Sequence, residues 1–275
     1  MQITDIDLKN LTEKGFIIKR NILNEDEINR IKKIILKNRA GKGGIETYYP
    51  ANNKQLAIKL LKFDIQRFLS AIFFLKIKKK LELDKIASIF FSEPAKLIML
   101  DGYHNPISEN DILPWHSDQA YGGKLNVEKI NSPDLFCLKF FFYLTDVGPN
   151  NGCTSYIPGS HKITYAVRSC LFEKKIKYQP FWSINELVSI IKKKENYNKI
   201  KQKLSSEYEL TTFLANAKKC ISDNLFSEYD FHAKPGDVLI FNEGGVHRGS
   251  NPTKNERIVL RYLYNKIKKV NNKKF

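Results

Sequence analysis

The spacing of apolar positions changes about one third of the way along the chain. Near the start, "GFIIKR" holds a short apolar run around Phe16 to Ile18 that reads as a strand. In "NILNEDEINRIKKIILKN" the apolar positions Ile28, Ile31, Ile34 and Ile35 recur at helical spacing. Asn24 can cap that helix, and Glu27 can reach back to the cap's own N–H as its box partner. A Gly- and Tyr-rich loop from Gly41 to Asn53 leads to a second predicted helix over residues 54–75. Its buried face would be Leu56, Leu60, Phe63, Ile65, Phe68, Leu69, Ile72 and Phe73.

From about residue 86 the runs shorten and turn residues separate them: "KIASIFFS", "KLIMLDGYH", "DLFCLKFFFYLTDV", "CTSYIPGS", "FHAKPGDVLIFN" and "RIVLRYLYN" all read as strands. Helices first and strands afterwards predict a mainly β protein with flanking α-helices, its strands in an antiparallel double-sheet jelly roll. With no internal repeat or linker, residues 1–275 read as one domain. Residues 1–85 are mostly helical support, and 86–161 with 230–266 form the jelly-roll core. The lysine-rich insertion 162–229 is expected to be helical at "SINELVSIIKKK" and otherwise a lid or surface flap.

Composition alters this picture little. The net charge of +17 suggests an anionic partner, but 38 lysines carry it beside only 8 arginines. Lysine is a solvated point charge, whereas arginine supplies the fork that reads phosphates and bases. No basic repeat or RNA-binding signature accompanies the charge, so a nucleic-acid partner is not expected. Cys137, Cys153, Cys170 and Cys220 have no CxxC spacing and read as reduced, mostly buried thiols of a cytoplasmic protein. "MQITDIDLKN" lacks the layout of a signal peptide, and "FLSAIFFL" at 68–75 is too short to span a bilayer, so membrane insertion is not expected either.

The candidate chemistry lies among five histidines, His104, His116, His161, His232 and His247. In "ILPWHSDQAYGG", His116 and Asp118 stand two apart, a spacing that puts both side chains on one side of an extended segment. A third donor must come from elsewhere, and His247 follows the apolar strand of "GDVLIFNEGGVHRGSNPTKNER", beside a Gly-Gly where backbone can pack closely. Two histidines and a carboxylate suit a non-haem Fe(II) centre that activates oxygen, and zinc could use the same set. Arg257, ten residues after His247, enters the apolar strand "RIVLRYLY". A buried guanidinium needs an anion, and the distal carboxylate of 2-oxoglutarate suits it, whereas a zinc hydrolase has no use for it. The alternative for Arg257 is a surface salt bridge with Glu256 or Asp237, and Arg261, four residues on, is its competitor.

Beyond these residues, "WHSD", "LTDVGPNNGCTSYIPGSH" and "KPGDVLIFNEGGVHRGSNPTKNER" together resemble the phytanoyl-CoA dioxygenase family of Fe(II)/2-oxoglutarate oxygenases. The likeness extends to "GFIIKRNILNEDEI" and most of residues 86–264, leaving the insertion unmatched. It implies a double-stranded β-helix, a cupin-like jelly roll, with iron held by His116, Asp118 and His247 in its mouth and 2-oxoglutarate held by Arg257. Phe141 falls where several relatives place a tryptophan near the cosubstrate. The His247–Arg257 loop is one residue shorter than is common, which displaces the usual hydroxyl contact to Ser250. The implied reaction takes O2 and 2-oxoglutarate, hydroxylates a small-molecule substrate, and releases succinate and CO2. A carboxylate at 118 favours hydroxylation over halogenation.

Lys139 interrupts an otherwise apolar strand and shares a face with Cys137, Phe141 and Tyr143. If that face is internal, its ammonium would meet the cosubstrate or an acidic substrate; if the strand lies at an edge, the amine would snorkel to water. His161 reads as structural, capping backbone groups, and His104 and His232 as surface or turn residues. Trp115 reads as a packing wedge at the barrel rim, and Tyr103, Gln119 and Tyr121 as pocket residues. Two rival functions are a non-catalytic jelly-roll binding protein and a basic nucleic-acid-associated protein.

Overall fold

In the computed structural model, which describes residues 1–39, 46–118, 137–149, 151–179, 181–222 and 229–267, helices and strands alternate in blocks. The first block runs α1 (Asp5–Glu13), β1 (Phe16–Lys19), α2 (Glu25–Asn38), β2 (Glu46–Tyr49), α3 (Asn53–Leu61), α4 (Ile65–Lys80) and α5 (Leu83–Phe91). The strands β3 (Ala95–Asn105), β4 (Leu113–His116), β5 (Leu138–Tyr143) and β6 (Thr154–Tyr156) follow. Helices α6 (Ser160–Phe172), α7 (Ile184–Lys192), α8 (Lys194–Lys201) and α9 (Glu207–Ser222) precede β7 (Val238–Asn242), β8 (His247–Gly249) and β9 (Arg257–Lys266).

All paired strands are antiparallel, in a six-stranded sheet of order β1-β7-β5-β9-β3-β2 and a three-stranded sheet of order β4-β8-β6. These are the two layers of a jelly roll, as the turn-punctuated strands predict. Period-two alternation gives the large sheet two apolar faces. Phe140, Phe142, Ile240, Leu260 and Tyr262 pack outward on the N-terminal helices, against Ile31, Ile35 and Phe74. Phe141, Tyr143, Leu239, Phe241 and Val259 pack inward with Tyr156 and Cys153 of the small-sheet side.

The N-terminal elements follow their local signals. Asn24 caps α2 and Glu27 completes the box, and Ile31 and Ile35 are fully buried. Two expectations need correction. "KIASIFFS" is helical, because Leu83, Ile86 and Ala87 form a buried stripe at i, i+3 and i+4 that a short apolar run does not distinguish from a strand. The predicted helix 54–75 is two helices, broken where Phe63 takes a positive φ of 55° and Asp64 caps α4 through the Arg67 N–H. Its expected buried face is correspondingly open: Leu60, Phe63, Ile65 and Leu69 are exposed.

The segment 162–229 contributes α7, α8, α9 and most of α6, which share a core of their own around Ile163, Val167, Leu187, Ile191, Leu210 and Phe213. Trp115 and Val246 of the barrel rim belong to that core, so Trp115 is the wedge that joins the two. The four cysteines are buried and form no disulfide.

His161, in the first turn of α6, ties the insertion to the N-terminus: its Nε2 lies 2.9 Å from the Thr12 carbonyl, and its Nδ1 is buried without a partner. Burial pushes this imidazole down to about 4. The unfolded chain takes up a proton near the ordinary value of 6.5 that the folded ring refuses until about 4. Stability contributed by His161 is therefore complete above 6.5 and is lost as the pH falls through this window, by about 3 kcal/mol in total. Urea unfolding of His161→Gln, which keeps an N–H donor for Thr12, should show a flatter pH dependence between 6.5 and 4 than the parent; equal slopes would count against this.

Candidate metal centre

The antiparallel ladder of the small sheet sets His116, at the end of β4, directly opposite His247, at the start of β8. Asp118 lies just past the end of β4 and reaches between the two rings. Each imidazole turns its Nδ1 toward a carbonyl two residues back, Pro114 at 2.6 Å for His116 and Gly245 at 2.8 Å for His247. Donation to those carbonyls places the ring proton on Nδ1 and leaves the Nε2 lone pair for a ligand. The Nε2 atoms lie 3.3 Å from Asp118, His116 against Oδ1 and His247 against Oδ2, and all three donor groups fall within 4.8 Å of one another.

This set fits a metal ion on structural grounds. Among the described residues, the buried His116 Nε2 makes no hydrogen bond, an arrangement that costs free energy unless something binds there. Burial and the neighbouring His116 push the His247 imidazole down to about 4, so it is neutral and able to ligate at physiological pH. Burial alone would raise the Asp118 carboxyl, but the Lys139 ammonium and the two imidazoles outweigh it and hold the group well below the ordinary value. The Gly244-Gly245 pair meets the expectation of close backbone approach, since a Cβ on Gly245 would collide with the Tyr156 phenol.

The donors line a cavity of about 310 Å³ that also contains Lys139, Phe141, Thr154, Glu243, Arg248, Arg257 and Arg261. Two arginines on one face of β9 behave differently there. Arg261 is already neutralised: its Nε lies 2.8 Å from Asp101 Oδ1, and its Nη2 contacts the other Asp101 oxygen and, at 2.8 Å, Glu46. Arg257 is also buried but has no carboxylate partner among the described residues. Its Nη1 and Nη2 make only long bonds of 3.4 Å to Asn105 Oδ1 and Thr154 Oγ1, and its Nε has none. The salt-bridge alternatives for Arg257 are otherwise engaged, Glu256 with His104 at 2.7 Å and Asp237 with Arg20 at 2.6 Å. Arg257 is thus an open anion seat in the same cavity as the metal donors.

The profile of the family described as Phytanoyl-CoA dioxygenase (PhyH) matches residues 11–259, running across the insertion as well as the barrel. The chain belongs to the phytanoyl-CoA dioxygenase family. A search of curated proteins finds no match. Among solved structures, HygX from Streptomyces hygroscopicus, with nickel and 2-oxoglutarate bound, is 15% identical with a TM-score of 0.55, covering 96% of this chain and 88% of HygX. SnoN, an epimerase in complex with Fe3+, alpha ketoglutarate and nogalamycin RO, is 13% identical with a TM-score of 0.54 over 95% of this chain and 83% of its own. EctD from S. alaskensis, in its apo form, is 14% identical with a TM-score of 0.53 over 96% and 77%. The chain spans half the length of EvdMO1, another structure of this fold. At such identities the likeness is one of fold.

The remaining candidate residues of this phytanoyl-CoA dioxygenase family member divide clearly. Phe141 is on the inner face, its ring 5.7 Å from the Arg257 guanidinium carbon, and Tyr103 lines the same cavity. Lys139 is internal rather than at an edge, and its anions come from the protein: Nζ contacts Asp118 and lies 3.4 Å from Glu243. Ser250 is buried with its hydroxyl 3.3 Å from Cys153 Sγ, and the hydroxyl beside Arg257 is that of Thr154. His104 is not a surface residue; it is buried in β3 and paired with Glu256, whereas His232 is exposed as expected. Gln119 and Tyr121 lie outside the described residues.

Arg248, Glu243, Thr154 and Trp182 of the site are not among the candidates the sequence offers. Glu243 and Thr154 were accessible in principle, since each continues an inward period-two register, with Phe241 and Tyr156 respectively. Trp182 carried no signal. It reaches the site because Phe181–Ser183 of the insertion runs beside β4, where the Ser117 N–H donates to the Trp182 carbonyl at 3.0 Å and the indole packs 4.9 Å from the His116 ring.

The two arginines should separate experimentally. Arg261→Ala leaves Asp101 buried without its cation and should cost about 3–5 kcal/mol in urea unfolding. Arg257→Ala removes two long hydrogen bonds and should cost about 1 kcal/mol. Equal losses would mean that Arg257 is a structural residue.

Proposed function

We propose that the protein is an Fe(II)- and 2-oxoglutarate-dependent dioxygenase that hydroxylates a neutral small molecule, releasing succinate and CO2. The observation that carries this reading is the carboxylate-free guanidinium of Arg257 in the same cavity as an inward-facing His116–Asp118–His247 donor set. Bound structures of HygX and SnoN, which share the fold, contain 2-oxoglutarate with a metal ion and lend support.

When bound, Fe(II) supplies the redox chemistry that splits O2, placing one oxygen atom in succinate and the other in the alcohol formed from a substrate C–H bond. The chain's own residues position the reactants. His116, Asp118 and His247 would hold the metal from one side and leave the opposite side to the cosubstrate and oxygen. Arg257 would grip the distal carboxylate of 2-oxoglutarate with its two terminal nitrogens, its guanidinium carbon lying 5.7 Å from the Phe141 ring and 5.9 Å from the Tyr143 ring. Thr154 Oγ1, which already accepts from the Tyr143 phenol at 2.7 Å, keeps the guanidinium in place.

With Asp118 committed to a metal ion, Lys139 would keep Glu243 as its counter-charge, and Arg248 and Arg261 would keep Asp230 and Asp101. The cavity then has no spare cation beyond Arg257 among the described residues, which favours a neutral substrate over the acidic one that Lys139 alone suggested. Trp182 and the insertion that carries it cover the His116 side of the site and exclude water there. Four buried cysteines without a disulfide are in keeping with a reducing, cytoplasmic setting.

Anaerobic addition of Fe(II) and 2-oxoglutarate to the purified chain should produce a visible metal-to-ligand charge-transfer band. Arg257→Ala should weaken 2-oxoglutarate binding by roughly 10- to 100-fold, the value of a charge-assisted hydrogen bond or two, with metal binding retained. A folded, iron-loaded protein that shows no such band, or releases no succinate in air, would sink the proposal. Product analysis by mass spectrometry separates hydroxylation, a gain of one oxygen atom, from the isomerisation an epimerase performs.

A further inference from the structure

The α3–α4 hairpin breaks the rule that an amphipathic helix buries its apolar side. Helix α3 has no buried residue at all, although Leu56, Ile58, Leu60 and Leu61 make up much of it. At the break, Leu61 is 78% and Phe63 87% exposed, and Ile65 and Leu69 continue the open surface along α4. Apolar side chains scattered singly over a surface are ordinary, but a contiguous set of this kind marks a binding face.

Charge and shape indicate what that face meets. Residues 53–80 carry eight lysine and arginine side chains against the single acid Asp64. Asp64 is held by Lys59 at 3.1 Å, and Lys78 and Lys80 pair with Asp84 and Glu27, which leaves Lys62 exposed at the break and Lys54 and Lys76 exposed along the two helices. The tip is convex: Phe63, in its positive-φ break, projects with almost its whole ring in solvent. A folded partner would need a matching pit, whereas the headgroup layer of a bilayer deforms around such a projection and supplies anions to the lysines.

We propose that the α3–α4 hairpin docks this protein on an anionic lipid surface, with Leu61, Phe63 and Ile65 entering the headgroup layer and Lys54, Lys62 and Lys76 meeting its charges. The contact is peripheral, since among the described residues no helix is long and apolar enough to cross a membrane. It also orients the active cavity. A groove of about 330 Å³ beneath the hairpin, lined by Ile58, Lys59 and Arg67, shares Tyr48 and Met99 with the cavity that holds the metal donors. Docking places that shared wall at the interface, where an apolar, membrane-dissolved substrate can enter. This last consequence rests on the dioxygenase reading, whereas the docking does not.

The test is co-sedimentation of the full chain with vesicles of phosphatidylglycerol and phosphatidylcholine in equal parts, compared with phosphatidylcholine alone. The parent should bind the mixed vesicles, less so as salt rises, and bind the neutral ones weakly. Leu61→Ser with Phe63→Ser should lower binding by about tenfold or more, while leaving the thermal unfolding curve in place because both side chains are exposed. The Phe63→Trp variant should shift its fluorescence to shorter wavelength on mixed vesicles. Unchanged binding of the double serine variant, or an unshifted emission from the Phe63→Trp variant, would overturn the proposal, leaving charge attraction without insertion. It would equally fail if the parent ignored vesicles and formed a dimer that the serine variant dissociates, the signature of a face between copies. Vesicle binding that survives in a protein showing no iron–2-oxoglutarate band would uphold docking and remove only the dioxygenase reading.

Discussion

Everything in the site depends on β5 being sandwiched between β7 and β9 in the middle of the large sheet. All six of its residues are buried, so the strand has an apolar face for the helices and a second face that can be nothing but the barrel interior. Phe140 and Phe142 anchor the outer face on the N-terminal helices. That fixes the register, and with it the inward direction of Lys139, Phe141 and Tyr143. A slip of one residue would exchange the two sets and bury the site's polar groups against the helices.

An interior of this kind tolerates charges only in compensated groups, and the pattern of compensation separates support from function. Arg261 with Asp101 and Glu46, Arg248 with Asp230, and Lys139 with Asp118 and Glu243 are paired in charge within the protein. Among the described residues, the Arg257 guanidinium has no carboxylate partner and the His116 Nε2 no hydrogen bond. A folded chain can keep such groups buried when a ligand supplies the missing charge or bond, which is why these two atoms define the opposite ends of the proposed chemistry. Lys139 is compensated twice over, by Asp118 and by Glu243 at 3.4 Å.

The helical insertion and the α3–α4 hairpin extend this barrel in two directions. The insertion has its own apolar core, and Trp115 and Val246 make that core continuous with the rim beside the metal donors. Trp182 lies in the irregular segment before α7, between Phe181 and Ile184 of that core, and packs there on His116. The hairpin is the reverse case: α3 buries none of its side chains, and the groove beneath it shares Tyr48 and Met99 with the cavity of the metal donors.

The chain alone pointed to His116, Asp118 and His247 as candidate metal donors, through a His-x-Asp pair joined to a distant histidine and arginine, and the fold sets their ligand atoms within 4.8 Å of one another. It also carried the capped α2 helix and most of the strands, since capping and period-two alternation are local. It did not determine that "KIASIFFS" is a helix or that residues 54–75 break in two, because short apolar runs are compatible with either period until tertiary packing selects one. Only the folded structure decided that Arg261 meets Asp101 and Glu46 while Arg257 meets no carboxylate among the described residues, that Glu243 lies beside Lys139, that Thr154 and not Ser250 stands beside Arg257, and that Trp182 packs on His116. Those are statements about which charges and rings meet across strands far apart in sequence, and the sheet register that brings them together is a property of the whole core.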